Sequence, residues 1–305
     1  MNTRTPVLLS TDLPLPLFLR GKVRDTYELG NQLLIVATDR ISAFDFVLPC
    51  GIPNKGRVLN QLSAFWFEKT ADLVPNHLLE EVDDASCLDA YLPTESRFAY
   101  PPYLADRSMI VKKAERIPVE SVVRGYLSGS AWEEYREYGT VSGATMPEGL
   151  LESQELPQPI FTPTTKAEEG HDIPMSVEEV GEIVGTSLAK EIKEKSLAVY
   201  SFAQKYSINH GFFLADTKFE FGLDGDRLIL IDELLTPDSS RFWDIKSYKV
   251  GQPQDSFDKQ PVRDWLTKSG WNKEPPAPML PPEVIGQTSQ RYQQAYERLT
   301  GKKLS

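Results

Sequence analysis

The chain has 305 residues, 40% hydrophobic and 25% charged, with a formal net charge of −11 from 44 Asp plus Glu against 33 Lys plus Arg. That length and apolar content fill one large domain or two ordinary ones, and the acidic balance argues against an extended nucleic-acid footprint while leaving room for a locally basic pocket. Two cysteines, Cys50 and Cys87, and three scattered histidines, His77, His171 and His210, are too few for a disulfide framework or a zinc site.

No apolar run approaches the roughly 20 residues that span a bilayer, and the N-terminus has no basic segment followed by an apolar core, so a soluble, cytoplasmic protein is expected. Residues 1–17 read as an irregular lead-in. Val23 to Leu29 and Gln32 to Thr38 read as strands joined by a turn at Gly30 and Asn31. Gly21 ahead of Lys22 and Arg24 suits a loop that covers nucleotide phosphates, the glycine allowing close approach and the cations neutralising charge. An edge hairpin with exposed cations explains the same residues equally well. Asp39 to Asp45 reads as a charged loop. Leu59, Leu62, Phe65 and Trp66 at three-to-four spacing predict a core-facing helix over about 56–70. Short strands and loops are expected from Asp72 to Arg107. Two further strands, at 109–111 and 117–123, flank a charged connection taken as the hinge between two lobes, residues 1–113 and 114–305.

The second of these strands runs into VVRGYLSGSAW. Arg124 leaves the strand, Ser130 with Glu133 forms a capping box for a helix over 131–138, and Gly139 stops it. A helix N-terminus with a serine and a nearby arginine is also an anion site. From Gly143 to Pro174 a long loop is expected, with Lys166, His171 and Asp172 as the residues able to reach a ligand. Ser176 and Glu179 form a second capping box, opening helices that run to Gly211.

Most of the chemistry lies in ADTKFEFGLDGDRLILIDELLTPDSSRFW. Asp216, Lys218 and Glu220 alternate with Thr217, Phe219 and Phe221, the period of a half-buried strand. Leu223 to Asp226 supply the turn of a hairpin. A loop with an odd number of residues sets Lys218 opposite Asp232, and the polar pattern favours that register over an even one. Three carboxylates and a lysine on one face suit a divalent cation that shares phosphate ligands. Cross-strand ion pairs on a solvated face are the alternative. Thr236 to Arg241 then add hydroxyls and a guanidinium for phosphate, with Ser240 and Arg241 at the end of the turn. Arg124 and Arg241, each beside serines, are expected to converge on one phosphate. A helix over about 283–299 packs back on the fold.

In order and spacing, RGKVRD, TDRISAFD, VVRGYLSGSAW, FTPTTKAEEGHD, DTKFEFG, IDE and LTPDSSRFWD resemble the SAICAR synthetase family in its longer, single-function form, over nearly the whole chain. The resemblance implies a two-lobed α+β fold with an ATP cleft between lobes, loosely like ATP-grasp enzymes and protein kinases. It implies a ligase of purine biosynthesis that joins L-aspartate to carboxyaminoimidazole ribonucleotide with ATP and Mg²⁺. Lys22 and Arg24 then cover the ATP phosphates, and Glu220 and Asp232 hold the metal. Asp216 and Lys218 stand near the reacting carboxylate. Arg124, Ser130, Ser240 and Arg241 bind the ribonucleotide, and Lys166 and Asp172 sit on a loop near the aspartate. The longer members imply a monomer. Read without the resemblance, a small-molecule kinase and a nucleotide-sensing module fit the same carboxylates and phosphate-binding loops.

Overall fold

The computed structural model describes residues 6–166 and 173–304. Two antiparallel arrays of strands carry the molecule. The first contains β1 (Leu17–Arg20), β2 (Arg24–Leu29), β3 (Gln32–Ala37), β7 (Ser108–Lys112) and β6 (Leu78–Glu81), in that spatial order. The expected hairpin at Gly30 is present, with Gly30 at φ 61, the left-handed conformation that a tight reversal needs. Asp39 to Asp45 is no loop. It forms β4 (Arg40–Ala43) and the turn to β5 (Phe46–Gly51), because Asp39 is wholly buried and accepts from the Arg107 guanidinium at 3.1 Å and the Gly56 amide at 2.9 Å.

Helix α1 (Lys55–Lys69) packs its Val58, Leu59, Leu62 and Trp66 into the largest apolar cluster, which spans both arrays. The second array begins at β8 (Glu115–Tyr126), three residues after β7 ends. Beyond β8 lie α2 (Ser130–Tyr138), the small β9 (Thr140–Val141) and β10 (Ala144–Thr145) pair, β11 (Glu155–Phe161) and β12 (Thr164–Thr165). Much of the expected long loop is therefore ordered as sheet: β11 and β12 both pair with β8. Proline-rich sequence hid this, and β11 tolerates it because it lies at the edge of the sheet.

The capping box at Ser176 opens α3 (Val177–Val184) as expected, and α4 (Thr186–Asn209) follows. The second array centres on β13 (Phe212–Asp224), with β14 (Arg227–Ile231) and β15 (Ser240–Asp244). One edge of β13 pairs with β8 along most of its length. Its other edge is shared: β14 takes Glu220 to Asp224, and β15 takes Phe212 to Thr217. Between the two the chain leaves the sheet from Asp232 to Ser239, at the level of Lys218. That split edge opens the site.

The hairpin between β13 and β14 has a two-residue loop, Gly225 and Asp226, so its register is even and not odd. Glu220 stands opposite Ile231, and Lys218 is not paired with Asp232. Turn chemistry overrode the polar pattern, because a Gly-Asp loop with Gly225 at φ 62 closes the hairpin in two residues.

After β15 come α5 (Gln260–Lys268) and α6 (Pro282–Thr300). Val262, Leu266 and Leu280 from this segment share a core with Ile41, Leu48 and Ile52 of the first half. The closing helix buries Tyr292, Tyr296 and Leu299 as expected. Among the described residues, no helix is long and apolar enough to cross a membrane.

Candidate active site

Strand periodicity puts Asp216, Lys218 and Glu220 on one face of β13, over ~13 Å at the usual rise per residue. Thr217, Phe219 and Phe221 face the core and are at most 1% exposed. At the far end stands an acidic wall. Asp232 leaves β14 with φ 66, and this left-handed residue turns the chain out of the ladder, next to Glu220, despite the even register. Burial raises the Glu220 carboxyl above its ordinary value, and the charge of Asp232 adds to the rise while Lys166 opposes it. Burial works against Asp232 too, but Arg24 and Lys166 hold its carboxyl below the usual range.

Arg24 Nη2 donates to Asp232 at 2.6 Å, and Arg24 also pairs with Glu233 at 3.3 Å. Burial opposes its charge, but these acids outweigh it and keep the guanidinium protonated. Lys166 pairs with Glu220, and Lys218 donates to Glu120 at 2.7 Å. Lys22 is exposed at the rim and pairs with Asp45 at 2.8 Å. Lys22, Arg24, Lys218, Glu220, Asp232 and Glu233 all line one cleft of about 1040 Å³.

At the near end of β13 two arginines converge. Arg124 of β8 and Arg241 of β15 are the register neighbours of Asp216 on its two sides. Arg241 Nε donates to Asp216 Oδ1 at 2.9 Å, its Nη2 bonds Oδ2, and Arg124 Nη1 donates to Oδ2 at 3.3 Å. Burial pushes the Asp216 carboxyl up, but the charges of Arg241 and Arg124 win and hold it below the usual range. Arg124 also reaches Thr162 Oγ1 at 3.1 Å and Ser130 Oγ at 3.4 Å.

The Ser130 capping box did not form. Gly129 is the N-cap, with φ 59, and Ser130 lies inside the first turn of α2 with its hydroxyl toward Arg124. The glycine has a steric reason: a Cβ there would sit 2.6 Å from Arg241 Nη1. Gly139 ends α2 in the left-handed conformation, as expected. Ser240 does not join the arginines, since its hydroxyl lies 2.8 Å from Thr217 Oγ1 on the core face and the residue is 4% exposed. Arg241, Ser128 and Gly129 line a second cavity of about 560 Å³. Asp172 and His171 lie outside the described residues.

Three groups at the cleft escaped assignment. Glu233 and Asp238 stood in the IDE and LTPDSS motifs, where the acids nearest the strand drew the reading. Lys55 carried no signal, being one lysine at the start of an apolar helix. It is 0% exposed and donates to Asp238 Oδ2 at 2.7 Å, while the Tyr292 hydroxyl donates to Asp238 Oδ1 at 2.5 Å.

Among the described residues no three His, Cys, Asp or Glu side chains gather into a self-sufficient metal cage. Two carboxylates, each destabilised by burial and Glu220 further by its neighbour's charge, nevertheless fit Mg²⁺, which takes one or two carboxylates and draws its other ligands from phosphates and water. Guanidiniums paired over one acid, cations at a cleft rim and an acidic wall able to take a hard cation suit an enzyme that handles phosphorylated small molecules.

Comparison with known proteins narrows that class. The SAICAR synthetase family pattern matches residues 17–278. Proteins called phosphoribosylaminoimidazole-succinocarboxamide synthase from Thermodesulfovibrio yellowstonii and Syntrophotalea carbinolica are each 52% identical, over 96% and 98% of this chain and 99% of theirs. The SAICAR synthase of Saccharomyces cerevisiae, solved with SAICAR, superposes with a TM-score of 0.87 at 46% identity, over 98% of this chain and 99% of that one. A SAICAR synthetase solved with ADP shares the fold, with a TM-score of 0.68 at 24% identity over 94% of this chain. The chain belongs to the SAICAR synthetase family, carbon–nitrogen ligases of purine biosynthesis, and the expected α+β fold of that family is the one observed.

Proposed function

We propose that the enzyme phosphorylates the carboxylate of carboxyaminoimidazole ribonucleotide with ATP and joins the resulting acyl phosphate to the amine of L-aspartate, releasing SAICAR, ADP and phosphate. The observation that carries this reading is the layout of β13: paired arginines at Asp216, a lysine at 218, and the acidic wall from Glu220 to Asp232 on one face. A free carboxylate is a poor electrophile, and converting it to an acyl phosphate supplies the leaving group that amide formation needs.

In this reading Arg124 and Arg241, with Ser130, take the ribonucleotide phosphate in bidentate hydrogen bonds. Asp216 orients the two guanidiniums, and Lys218 faces the reacting carboxylate and offsets charge that builds on it. Lys22 and Arg24 cover the phosphates of ATP. Glu220 and Asp232 would hold Mg²⁺, which screens the charge of the transferring phosphoryl group when bound. Lys166 turns from Glu220 toward the aspartate. Two lobes, 1–113 and 114–305, and a monomeric state complete the proposal, although the segment from β15 to α6 packs on β4 and β5 across that boundary.

The test uses ribonucleotide labelled with ¹⁸O in its carboxylate. Transfer of one label to inorganic phosphate, dependent on L-aspartate and matched by SAICAR formation, is the expected result. The second label stays in the amide carbonyl; inorganic phosphate free of label, or a stable phosphorylated ribonucleotide formed without aspartate, refutes the ligase in favour of another mechanism or of a kinase.

A further inference from the structure

Arg40, in the TDRISAFD motif, has no part in the roles above. It opens β4 and reaches the turn between β1 and β2, which carries Gly21, Lys22 and Val23. Every one of its guanidinium N–H donors has an acceptor. Nε donates to the Lys22 carbonyl at 3.1 Å and Nη2 to the Gly21 carbonyl at 2.9 Å. Nη1 donates to the Leu9 carbonyl at 2.8 Å. The remaining donors reach Asp25, at 2.7 Å from Nη2 and 3.3 Å from Nη1. Thr38 extends the pattern by one residue, since its amide and its hydroxyl both donate to the Val23 carbonyl, at 2.9 and 2.8 Å. Three consecutive carbonyls of the turn are therefore held from the side of β3 and β4.

Asp25 braces this clamp. It is 0% exposed and also accepts from the Thr11 hydroxyl at 2.7 Å and the Thr11 amide at 3.2 Å. Burial works against its charge, but the bonds from Arg40 and Thr11 hold its carboxyl below the usual range. A carboxylate tied in this way fixes the plane of the guanidinium, and that plane fixes the turn. The consequence lies on the turn's other side. In a trans peptide the C=O and the N–H that follows it point in opposite directions. The Lys22 and Val23 amides follow the two carbonyls held by Arg40, so they face away from it. Lys22, Val23 and Arg24 line the main cleft, and Arg40 is not among its lining residues. Neither of the two amides donates to an acceptor among the described residues. Successive amides aimed one way make an anion-binding concavity. Arg40 itself, with all its donors engaged, has none to offer a ligand.

We propose that Arg40 is a positioning residue for nucleotide binding: by clamping the carbonyls of the turn from behind, it holds the Lys22 and Val23 amides toward the cleft as donors to a phosphate of ATP. This rests on the assignment of that turn to the ATP phosphates made above. The competing account is a buried Arg–Asp pair that serves the fold alone. Lysine separates the two, because it keeps a positive charge beside Asp25 but carries its donors on a single nitrogen and cannot span the carboxylate and both turn carbonyls.

The experiment measures, by calorimetry with Mg²⁺ present, the affinity of the full-length wild type and of Arg40→Lys for ATP, ADP and adenosine, with urea midpoints alongside. The wild type is expected to bind ATP and ADP more tightly than adenosine. In Arg40→Lys the affinities for ATP and ADP should fall about tenfold or more, as hydrogen bonds to a charged group are lost, while that for adenosine changes by less than about twofold. Wild-type affinity for all three in Arg40→Lys overturns the inference and leaves the nucleotide assignment of the turn intact. An equal loss for all three, or a lower urea midpoint with unchanged affinities, overturns it as well, by making Arg40 a residue of the fold alone. A wild type that binds ATP no better than adenosine removes the phosphates from this turn, and the assignment above fails together with the inference. Should Arg40→Lys not fold, Asp25→Asn decides, since it keeps the shape of the brace and removes its charge. A lower ratio of ATP to adenosine affinity is expected there, and a ratio equal to that of the wild type overturns the inference.

Discussion

Replacing Lys55 by Met tests whether the buried Lys55–Asp238–Tyr292 network holds the turn that carries the acidic wall. Both charged side chains are removed from water, at 0% and 5% exposure, and the pair closes at 2.7 Å. Removing one partner of such a pair leaves a buried charge with the Tyr292 hydroxyl and the more distant Lys259 charge as its remaining support, which costs about 3–5 kcal/mol. Against a total stability of about 5–15 kcal/mol this is a large fraction. Urea denaturation followed by circular dichroism is expected to show the midpoint lowered with the slope unchanged. The deficit should also shrink on acidification, because Asp238 in the variant loses the cation that holds its carboxyl below the usual range against burial, and it then takes up a proton on folding instead of remaining charged. Tyr292→Phe removes one hydrogen bond to a charged group and should cost about 1.5–3 kcal/mol. A Lys55→Met variant within 1 kcal/mol of the parent at neutral pH (~1 kcal/mol being the scale of an exposed pair) would refute the reasoning.

Glu220→Gln and Asp232→Asn should each lower kcat by a large factor with a near-native urea midpoint, and raising Mg²⁺ should restore part of it; full activity in both would remove them from the metal. Arg124→Lys and Arg241→Lys should each raise the KM for ribonucleotide more than that for ATP, and the double variant should deviate from additivity as expected of groups sharing a ligand; additive effects would separate them. Burial and the charge of Asp83 push the Glu81 carboxyl up to about 7 from 4.5, so the folded protein binds more protons than the unfolded chain between those values and this group's contribution falls as pH rises through 7. Glu81→Gln should therefore be the more stable protein at pH 8, by about 1–2 kcal/mol after discounting for partial exposure, and the gain should vanish near pH 4; a gain that grows on acidification would reverse the sign argued here.

Local pattern carried the elements whose signals are local. The alternation in DTKFEF, the Asp-Gly turn, the Ser176 capping box and the apolar stripe of α1 each appear where the residues put them. The errors arose where a distant partner decided the outcome. Ser130 looked like a cap because Glu133 follows at the right spacing, yet Gly129 takes that place so that Arg241, more than a hundred residues away, can lie against it. Asp39 looked like loop polarity because nothing nearby in sequence discloses Arg107. The Lys55–Asp238 pair was invisible for the same reason, since a buried ion pair from a helix start to a distant turn, joined by a tyrosine hydroxyl from another helix, has no period or spacing to detect.

The arginine pair gives this contrast a functional consequence. Arg124 and Arg241 sit on different strands, and each is placed by backbone pairing with β13 on either side of Asp216, so their separation is set by sheet register and not by side-chain flexibility. Left alone, two guanidiniums this close and this buried would repel; burial and the charge of Arg241 already act to lower the pKa of Arg124. Asp216 offsets that repulsion and fixes both planes, by paired bonds to Arg241 and a single one to Arg124. Arg124 Nη2, not engaged with Asp216, reaches the Ser130 hydroxyl, and Arg241 Nη2, which bonds Asp216, also lies 3.5 Å from the Ser128 carbonyl. In the proposed function, the ribonucleotide phosphate would meet a fork already oriented, with the conformational cost of ordering two long cationic side chains met during folding and not charged again to binding. The same strand carries Lys218 and Glu220 two and four residues further on, so the register that aligns the arginines also fixes their distance from the acidic wall.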